Sequence, residues 1–422
     1  MIAKVLNVLC SLIVVPLTLS CLTQEEYGVW LTLSSVLLWF SFFDVGLGNG
    51  LRNYLTQALS MGDWKLGRKY LSTTLVIMSG IVLFFLFITF LAYWMVDFSR
   101  LFNTRSIPPQ ELSMIFLVAS VFTLNMFLVK NVGVIFMSMQ RYAVNDLLLL
   151  LGNLLSLLCI WWFVRLNYSS LLAVVLVFTS VPVLVFLIAG AFLFFYYPQL
   201  LPSFKAVDYS LTRMLVGKGL SFFLIQITSC LVVFASANVF IAQYSGPSDV
   251  TVYNLAYKYF NVLAIGYTIF ISPLWNAYTD AYVKGDMLWI RRSFIRSLMI
   301  LGLFVALGAV MLIVAPWFYH FWVQGRVEVP SMVSLSVLLF ILSFNFNNAV
   351  TYLLNGLNII WVQTITSVLA TMIYLLMVAL LGEHGIVGVS LSMVVCYLLM
   401  GGIHLYQCNM ILRGKATGIW LK

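Results

Sequence analysis

Twelve apolar runs follow one another along the chain, each close to the length of a helix that crosses a lipid bilayer. Such a helix needs about 20 predominantly apolar residues. The predicted spans are 5–22, 28–50, 71–96, 112–137, 147–165, 169–196, 215–243, 250–277, 294–317, 331–355, 359–381 and 386–411. With 63% hydrophobic and 8% charged residues, the chain carries more apolar surface than a soluble domain of 422 residues can bury. The sequence therefore predicts an all-α integral membrane protein with about 12 transmembrane helices.

Basic residues between the spans predict how the chain is oriented. With the N-terminus in the cytoplasm, fifteen basic residues fall on the cytoplasmic side and four on the outer side, namely Arg100, Arg105, Arg165 and Arg326. Because cytoplasmic loops carry an excess of Lys and Arg, both termini are predicted to be cytoplasmic. The net charge of +9 then reflects topology, and no nucleic-acid partner is expected. No predicted connection exceeds 20 residues, which leaves no room for a soluble catalytic domain.

Two cytoplasmic segments resemble each other at a constant offset. Residues 53–69, NYLTQALSMGDWKLGRK, match residues 276–292, NAYTDAYVKGDMLWIRR, at six of 17 positions. We interpret the match as the trace of two parallel six-helix halves, 1–200 and 215–422, joined by a cytoplasmic linker at 201–214. The alternative is that short basic connectors are alike because they share a role in topology.

Three blocks of sequence carry a resemblance to a known family. They are VPLTLSCLTQEEYGVWLTLSSVLLWFSFFDVGLGNGLRNYLTQAL (15–59), VTVYNLAYKYFNV (250–262) and SPLWNAYTDAYVKGD (272–286). They resemble the O-antigen and polysaccharide repeat-unit flippases of the multidrug/oligosaccharidyl-lipid/polysaccharide exporter superfamily. The resemblance implies two pseudo-symmetric six-helix bundles around a central V-shaped cavity.

The same resemblance implies a substrate and a direction of transport. The expected substrate is an undecaprenyl-pyrophosphate-linked oligosaccharide, moved from the cytoplasmic to the periplasmic leaflet of the bacterial inner membrane. No cofactor is expected, and a proton or sodium gradient is the implied driving force. Besides the substrate and membrane lipids, other membrane proteins of polysaccharide assembly are expected partners.

Lys258 is the most deeply embedded charge in the predicted spans. A charged residue at mid-helix costs roughly 2.5–3.5 kcal/mol on insertion scales, so its presence needs a reason. Lys258 is surrounded in sequence by Tyr253, Asn254, Tyr257 and Asn261, which can share one wide helical face. An ammonium group can neutralise a diphosphate while rings stack on sugars and amides bind hydroxyls, so these five residues are candidate substrate-binding residues. The alternative is an interhelical hydrogen-bond cluster that packs the bundle.

Two more lysines and a group of asparagines also fall within or near spans. Lys130, beside Asn131, is a candidate for capturing the pyrophosphate headgroup, with snorkelling to the interface as the alternative. Lys218 lies closer to the cytoplasmic surface, and snorkelling is the preferred interpretation there. The stretch FNFNNAVTYLLNGLN (344–358) predicts a polar helix face that binds neighbouring helices or, alternatively, sugars.

The motif GLGNG at 46–50 follows a membrane helix rather than a strand, so a dinucleotide loop is not expected. Its glycines, Gly46, Gly48 and Gly50, allow a bend or a close helix contact. Asp44 and Arg52 flank them, eight residues apart, and would share a helical face if the helix continued through. We interpret the cluster as a hinge and cytoplasmic gate; the alternative is a purely structural helix end.

An enzyme is not expected, because the three histidines form no catalytic or metal-binding motif and no nucleotide-binding loop occurs. The main rival function is a cation-coupled multidrug exporter of the same superfamily. Such a pump is expected to keep a buried carboxylate, whereas the predicted spans embed three lysines and one acid, Asp44. This balance favours an anionic substrate.

Overall fold

The computed structural model describes residues 2–42, 45–212 and 236–421. Every regular element in these ranges is a helix. Among the described residues, eight helical stretches are long and apolar enough to cross a membrane: Trp64–Met95, Pro109–Ser138, Tyr142–Arg165, Leu171–Tyr196, Pro247–Val283, Met287–Val323, Ser331–Gly356 and Trp361–Leu412. The predicted all-α, multi-pass membrane fold is confirmed.

Each predicted span other than the seventh coincides with helix in the described ranges. Only residues 236–243 of the seventh span, 215–243, are described, so Lys218 lies outside the described residues. The chain divides into two compact units, Met1–Ile227 and Thr228–Lys422. The predicted limits of the two halves and of the linker stay a prediction, as does the orientation of the termini.

The first unit contains nine α-helices in its described part. They are α1 (Ile2–Cys21), α2 (Gln24–Phe42), α3 (Val45–Ser60), α4 (Trp64–Met95), α5 (Phe98–Phe102), α6 (Pro109–Val129), α7 (Asn131–Ser138), α8 (Tyr142–Arg165) and α9 (Leu171–Tyr196). Helix α1 packs on α8, α6 packs on α4 and α9, and α3 packs on α4 and α7. Leu51, Leu55, Ile135 and Phe186 belong to the apolar core where α3, α7 and α9 meet.

After α9, three 3-10 turns between Pro198 and Leu211 attach the chain to α4. The amide of Ser203 donates to Ser72 Oγ at 3.1 Å, and the amide of Asp208 donates to Thr73 Oγ1 at 3.0 Å. Lys69 Nζ lies 3.6 Å from the Asp208 carboxylate. Hydrogen bonds from Ser210, and to a lesser extent Lys69, hold the pKa of Asp208 below its usual value. These bonds fix residues 201–208, which the sequence assigned to the linker, on the first unit.

The second unit contains six α-helices in its described part. They are α10 (Ala237–Ser245), α11 (Pro247–Val283), α12 (Met287–Val323), α13 (Ser331–Gly356), α14 (Trp361–Leu381) and α15 (Gly385–Leu412). Helix α13 is central, because it packs on α11, α12 and α15. Helix α15 also packs on α14, to which the 3-10 turn Gly382–His384 joins it.

The two similar segments form the same turn between consecutive helices. Gly62 has a φ of 72° and Gly285 a φ of 73°, in the left-handed region that favours glycine. The next amide, of Asp63 or Asp286, donates across the turn to the carbonyl of Ala58 or Ala281, at 2.9 Å in both units. One helix-ending turn with a 6→1 hydrogen bond therefore explains the identical glycines of the two segments.

The identical aspartates, Asp63 and Asp286, are explained by the N-cap of the helix that follows the turn. Asp63 Oδ1 accepts from the Leu66 amide and Asp286 Oδ1 from the Trp289 amide, at 2.9 Å in both cases. Asp63→Ala and Asp286→Ala are each expected to destabilise their unit by ~0.5–2 kcal/mol, because an orphan amide loses its acceptor.

Thermal unfolding of the detergent-solubilised variants measures this loss. Asp63→Ser and Asp286→Ser are the matched controls, since serine caps helices about as well as aspartate. Equal losses for alanine and serine at either position would contradict the capping role.

Candidate functional site

The predicted polar face of the eighth span lies on α11 in the second unit. Tyr253 is buried, at 5% exposure, and Tyr257 is partly buried. Their rings stack at a centroid distance of 6.0 Å, and Tyr257 stacks on Phe340 of α13 at 6.3 Å. The two tyrosines therefore form an aromatic column between α11 and α13.

Asn254 has an interhelical partner. Its Nδ2 donates to Asn238 Oδ1 on α10 and to the Val250 carbonyl, both at 2.8 Å. The amide thereby satisfies a buried polar group by joining α10 to α11. Asn254 therefore makes an interhelical hydrogen bond that packs the bundle, which was the alternative to substrate binding in the sequence analysis.

Lys258 and Asn261 occupy the neighbouring part of the same helix. Both are partly buried, and the spacing 254, 257, 258, 261 places them within one wide face. The structure thus places Tyr253, Tyr257, Lys258 and Asn261 on one helix of one unit, with the two tyrosine rings in contact. An ammonium group beside stacked rings and a carboxamide can bind a phosphate that bears a sugar. That binding role stays a prediction.

The acidic residues of the described helices are placed differently from this lysine. They are Glu25, Glu26, Glu111, Asp146, Asp249 and Asp280, and each lies within five residues of a helix end. Lys258 lies eleven residues after the start of α11. In the part of the chain that the structure describes, the charge carried deep within a helix is therefore cationic.

Lys130 lies at the junction of α6 and α7 in the first unit. Its Nζ is 5.3 Å from the centroid of the Phe127 ring. Asn131 beside it is buried, and its Nδ2 donates to the carbonyls of Phe127 and Leu128 at 2.8 and 3.1 Å. A break in the helix, stabilised by this asparagine, positions the lysine.

A cavity of about 310 Å³ lies next to this break. It is lined mainly by apolar side chains of α4, α6, α7 and α9, among them Leu71, Leu128, Phe186 and Phe194. Asn131 is a polar residue in the lining, and its Oδ1 has no hydrogen-bond partner among the described residues. The sequence did not predict this cavity, because leucines and phenylalanines that line it look like any other membrane-helix residues.

The predicted gate residues fall at the start of α3. Gly46, Gly48 and Gly50 form its first turns, and the guanidinium of Arg52 lies 5.1 Å from the centroid of the Tyr142 ring on α8. The Arg52 carbonyl accepts a hydrogen bond from Ser138 Oγ of α7 at 3.3 Å. Asp44 lies outside the described residues, so its relation to Arg52 and the hinge and gate roles stay predictions.

Two asparagines of 344–358, Asn345 and Asn347, show the interhelical bonding that the sequence favoured. Asn345 Nδ2 lies 3.4 Å from the Leu263 carbonyl of α11, and Asn347 Oδ1 lies 3.1 Å from His404 Nδ1 of α15. His404 carried no predicted role, because its partners are distant in sequence. Within the described ranges, no group of three or more His, Cys, Asp or Glu residues is placed to hold a metal ion.

Comparison with known proteins supports the resemblance seen in the sequence. No family model matches the chain. A protein of Salmonella typhi named "Putative O-antigen transporter" is 25% identical over 329 residues, which cover 74% of this chain and 71% of that protein. The predicted resemblance is thereby confirmed at the level of sequence.

Solved structures show where the fold belongs. A multidrug resistance transporter of the MATE family and the MOP superfamily, solved in an inward-facing conformation, matches with a TM-score of 0.77 and 13% identity. That match covers 96% of this chain and 94% of the other. The lipid II flippase MurJ matches with a TM-score of 0.75 and 10% identity, over 97% of this chain and 87% of the other. The chain therefore has the fold of the MOP-superfamily transporters.

Proposed function

We propose that this chain is a flippase for lipid-linked oligosaccharides. It moves undecaprenyl-pyrophosphate-linked repeat units from the cytoplasmic to the periplasmic leaflet of the bacterial inner membrane, in O-antigen, capsular or exopolysaccharide biosynthesis. The observation that carries the proposal is on α11, where a partly buried lysine, Lys258, lies deep within the helix that also carries the stacked Tyr253 and Tyr257 and, one turn on, Asn261. The name of the Salmonella typhi relative supports it, and the fold, shared with both a lipid II flippase and a multidrug transporter, is that of a transporter superfamily that contains such flippases.

The proposed mechanism is alternating access. The pyrophosphate headgroup enters from the cytoplasm and binds the cationic face, while the polyprenyl tail stays in the lipid. A change of conformation then releases the headgroup to the outside. An ion gradient of protons or sodium supplies the driving force, because the substrate must be moved in one direction.

Deleting the gene tests the proposal. Lipid-linked repeat units are expected to accumulate on the cytoplasmic face, and surface polysaccharide is expected to disappear and to return with a plasmid copy. Normal polysaccharide together with altered drug susceptibility would instead favour the rival, a cation-coupled multidrug exporter of the same superfamily. The MATE-family match does not favour this rival, since likeness at 13% identity shows the fold alone.

The proposed gate gives a separate prediction. Asp44→Asn and Arg52→Ala are each expected to reduce surface polysaccharide without changing the amount or topology of the protein in the membrane. Arg52 would lose its contact with the Tyr142 ring, worth ~0.5–2 kcal/mol. Lys65→Ala, which removes an exposed basic side chain of α4, is the control and is expected to leave export unchanged. Unimpaired export in both gate variants would leave only a structural role.

A further inference from the structure

A buried histidine joins three helices of the second unit. His404 of α15 is 1% exposed. Its Nε2 lies 2.8 Å from Thr366 Oγ1 on α14, and its Nδ1 lies 3.1 Å from Asn347 Oδ1 on α13. Both partners are buried as well. Each ring nitrogen therefore has a neutral polar partner on a different helix.

The partners can satisfy this ring in two protonation states. Asn347 Oδ1 only accepts, so Nδ1 carries a proton. Thr366 Oγ1 also lies 2.9 Å from the Val362 carbonyl. Its hydroxyl can donate to Nε2 of a neutral ring, or rotate towards Val362 and accept Nε2–H of an imidazolium. One hydroxyl rotation thus accommodates an added proton without displacing a heavier atom.

The charges around His404 determine which protonation state of the ring this conformation favours. Helices α13, α14 and α15 contain no Asp, Glu, Lys or Arg, and neither does α10. Their other titratable groups are Tyr244, Tyr352, Tyr374, Cys396, Tyr397, Tyr406 and Cys408.

In the described ranges, the other elements with several contacts to α15 are α11, the turn Gly382–His384 and the turn Gly418–Leu421. The turn Gly418–Leu421 has no titratable side chain. Helix α11 and the turn Gly382–His384 contribute Asp249, Tyr253, Tyr257, Lys258, Tyr259, Tyr267, Tyr278, Asp280, Tyr282, Glu383 and His384. Neither ring nitrogen of His404 has a carboxylate among its hydrogen-bond partners. Because an uncompensated buried charge is costly, this conformation holds the ring neutral, and a more hydrated conformation would take up the proton.

Two glutamines on α14 and α15 carry buried amide atoms that can bind water near the ring. Gln363 Nε2 and Gln407 Oε1 are buried and have no hydrogen-bond partner among the described residues. They lie three residues from Thr366 and His404 on antiparallel neighbouring helices, towards the end where α14 begins. An unpaired amide donor and an unpaired amide acceptor are groups that buried water satisfies.

We propose that His404, Thr366 and Asn347 form a proton-binding site that couples proton uptake to the transport cycle. Gln363 and Gln407 connect the site to the membrane face at which α14 begins. A ligand shifts a conformational equilibrium only if its affinity differs between the two states. The affinity of the His404 ring for a proton differs in this way if the ring is dry in one state and hydrated in the other. The coupling ion is a proton, since the site centres on an imidazole whereas hard metal cations take oxygen ligands. The role in transport rests on the proposed flippase function.

Nitrogen NMR of the full-length protein in lipid nanodiscs, with ¹⁵N-labelled histidine, tests proton binding directly. The chain has three histidines, and His404→Gln assigns the buried one by loss of its signals. Lowering the pH from about 8 to about 5 is expected to shift the protein towards the conformation in which the ring is hydrated, and thereby to change His404 from the neutral Nδ1-protonated form to imidazolium. Thr366→Ser should keep this titration and Thr366→Val should shift it. A ring that stays neutral throughout would overturn the proposal.

Export of polysaccharide in cells tests whether proton uptake by His404 is coupled to transport. Nigericin, which collapses the pH gradient, is expected to lower surface polysaccharide several-fold in wild type and in His384→Gln, which replaces an exposed histidine. His404→Gln, at equal protein level, should show less surface polysaccharide than wild type without nigericin, and nigericin should lower it no further. An equal nigericin response in His404→Gln and wild type would overturn the proposal while leaving the flippase function intact. If the gene deletion accumulates no lipid-linked repeat units, the flippase function fails, but the NMR result still decides whether His404 binds a proton.

Discussion

Lys258→Ala is expected to abolish surface polysaccharide while the protein remains in the membrane. Lys258 is partly buried and lies on α11, the helix that carries the stacked Tyr253 and Tyr257. A hydrogen bond to a charged group contributes ~1.5–3 kcal/mol, so its loss should weaken substrate binding by about 10- to 150-fold. Surface polysaccharide measured by gel staining, with protein amount measured by immunoblot, gives the result.

The same helix offers a matched control. Lys284 follows the last residue of α11, is exposed, and forms an ion pair with Asp280 at 2.6 Å. Lys284→Ala removes the same charge from the membrane surface and is expected to leave export unchanged, because exposed ion pairs contribute little. Lys258→Arg keeps the charge and should retain part of the activity. Wild-type polysaccharide in Lys258→Ala would remove this lysine from the mechanism.

Gly356→Ala is expected to destabilise the second unit by ~1–3 kcal/mol, the usual cost of overpacking. A Cβ at Gly356 would lie 2.6 Å from Tyr278 Cβ and 2.9 Å from the Trp275 carbonyl oxygen of α11. Neither atom is the end of a flexible side chain, so α11 and α13 would have to separate. Separation would also break the hydrogen bond of 2.8 Å from Thr279 Oγ1 to the Gly356 carbonyl.

Thermal unfolding of the purified protein in detergent measures this effect. Gly302→Ala in α12 is the control, because a Cβ there meets nothing within 4 Å. Alanine favours a helix over glycine by roughly 0.5–1 kcal/mol, so this variant should be as stable as wild type or slightly more stable. Similar melting temperatures for Gly356→Ala and Gly302→Ala would contradict the close contact between α11 and α13.

The helices and their connecting turns could be predicted from the sequence because their causes are local. In lipid, backbone groups must be hydrogen-bonded within the segment, so an apolar run of sufficient length becomes a helix. The repeated Gly-Asp pairs at 62–63 and 285–286 are likewise local signals, since the glycine adopts a positive φ and the aspartate caps the next helix. Embedded Lys258 was recognised as a candidate because charge is costly there whatever its neighbours.

Only the tertiary structure decided which polar groups meet. Asn254 shares a helix with Lys258, yet its amide bonds Asn238 on α10. His404, which no motif distinguished, meets Thr366 at a separation of 38 residues and Asn347 at 57. The sequence by itself determined a membrane protein of apolar helices, with turns and embedded charges at known positions. The rotation and register of α11, α13, α14 and α15 determined the pairings, because side-chain packing between helices distant in sequence leaves no local pattern.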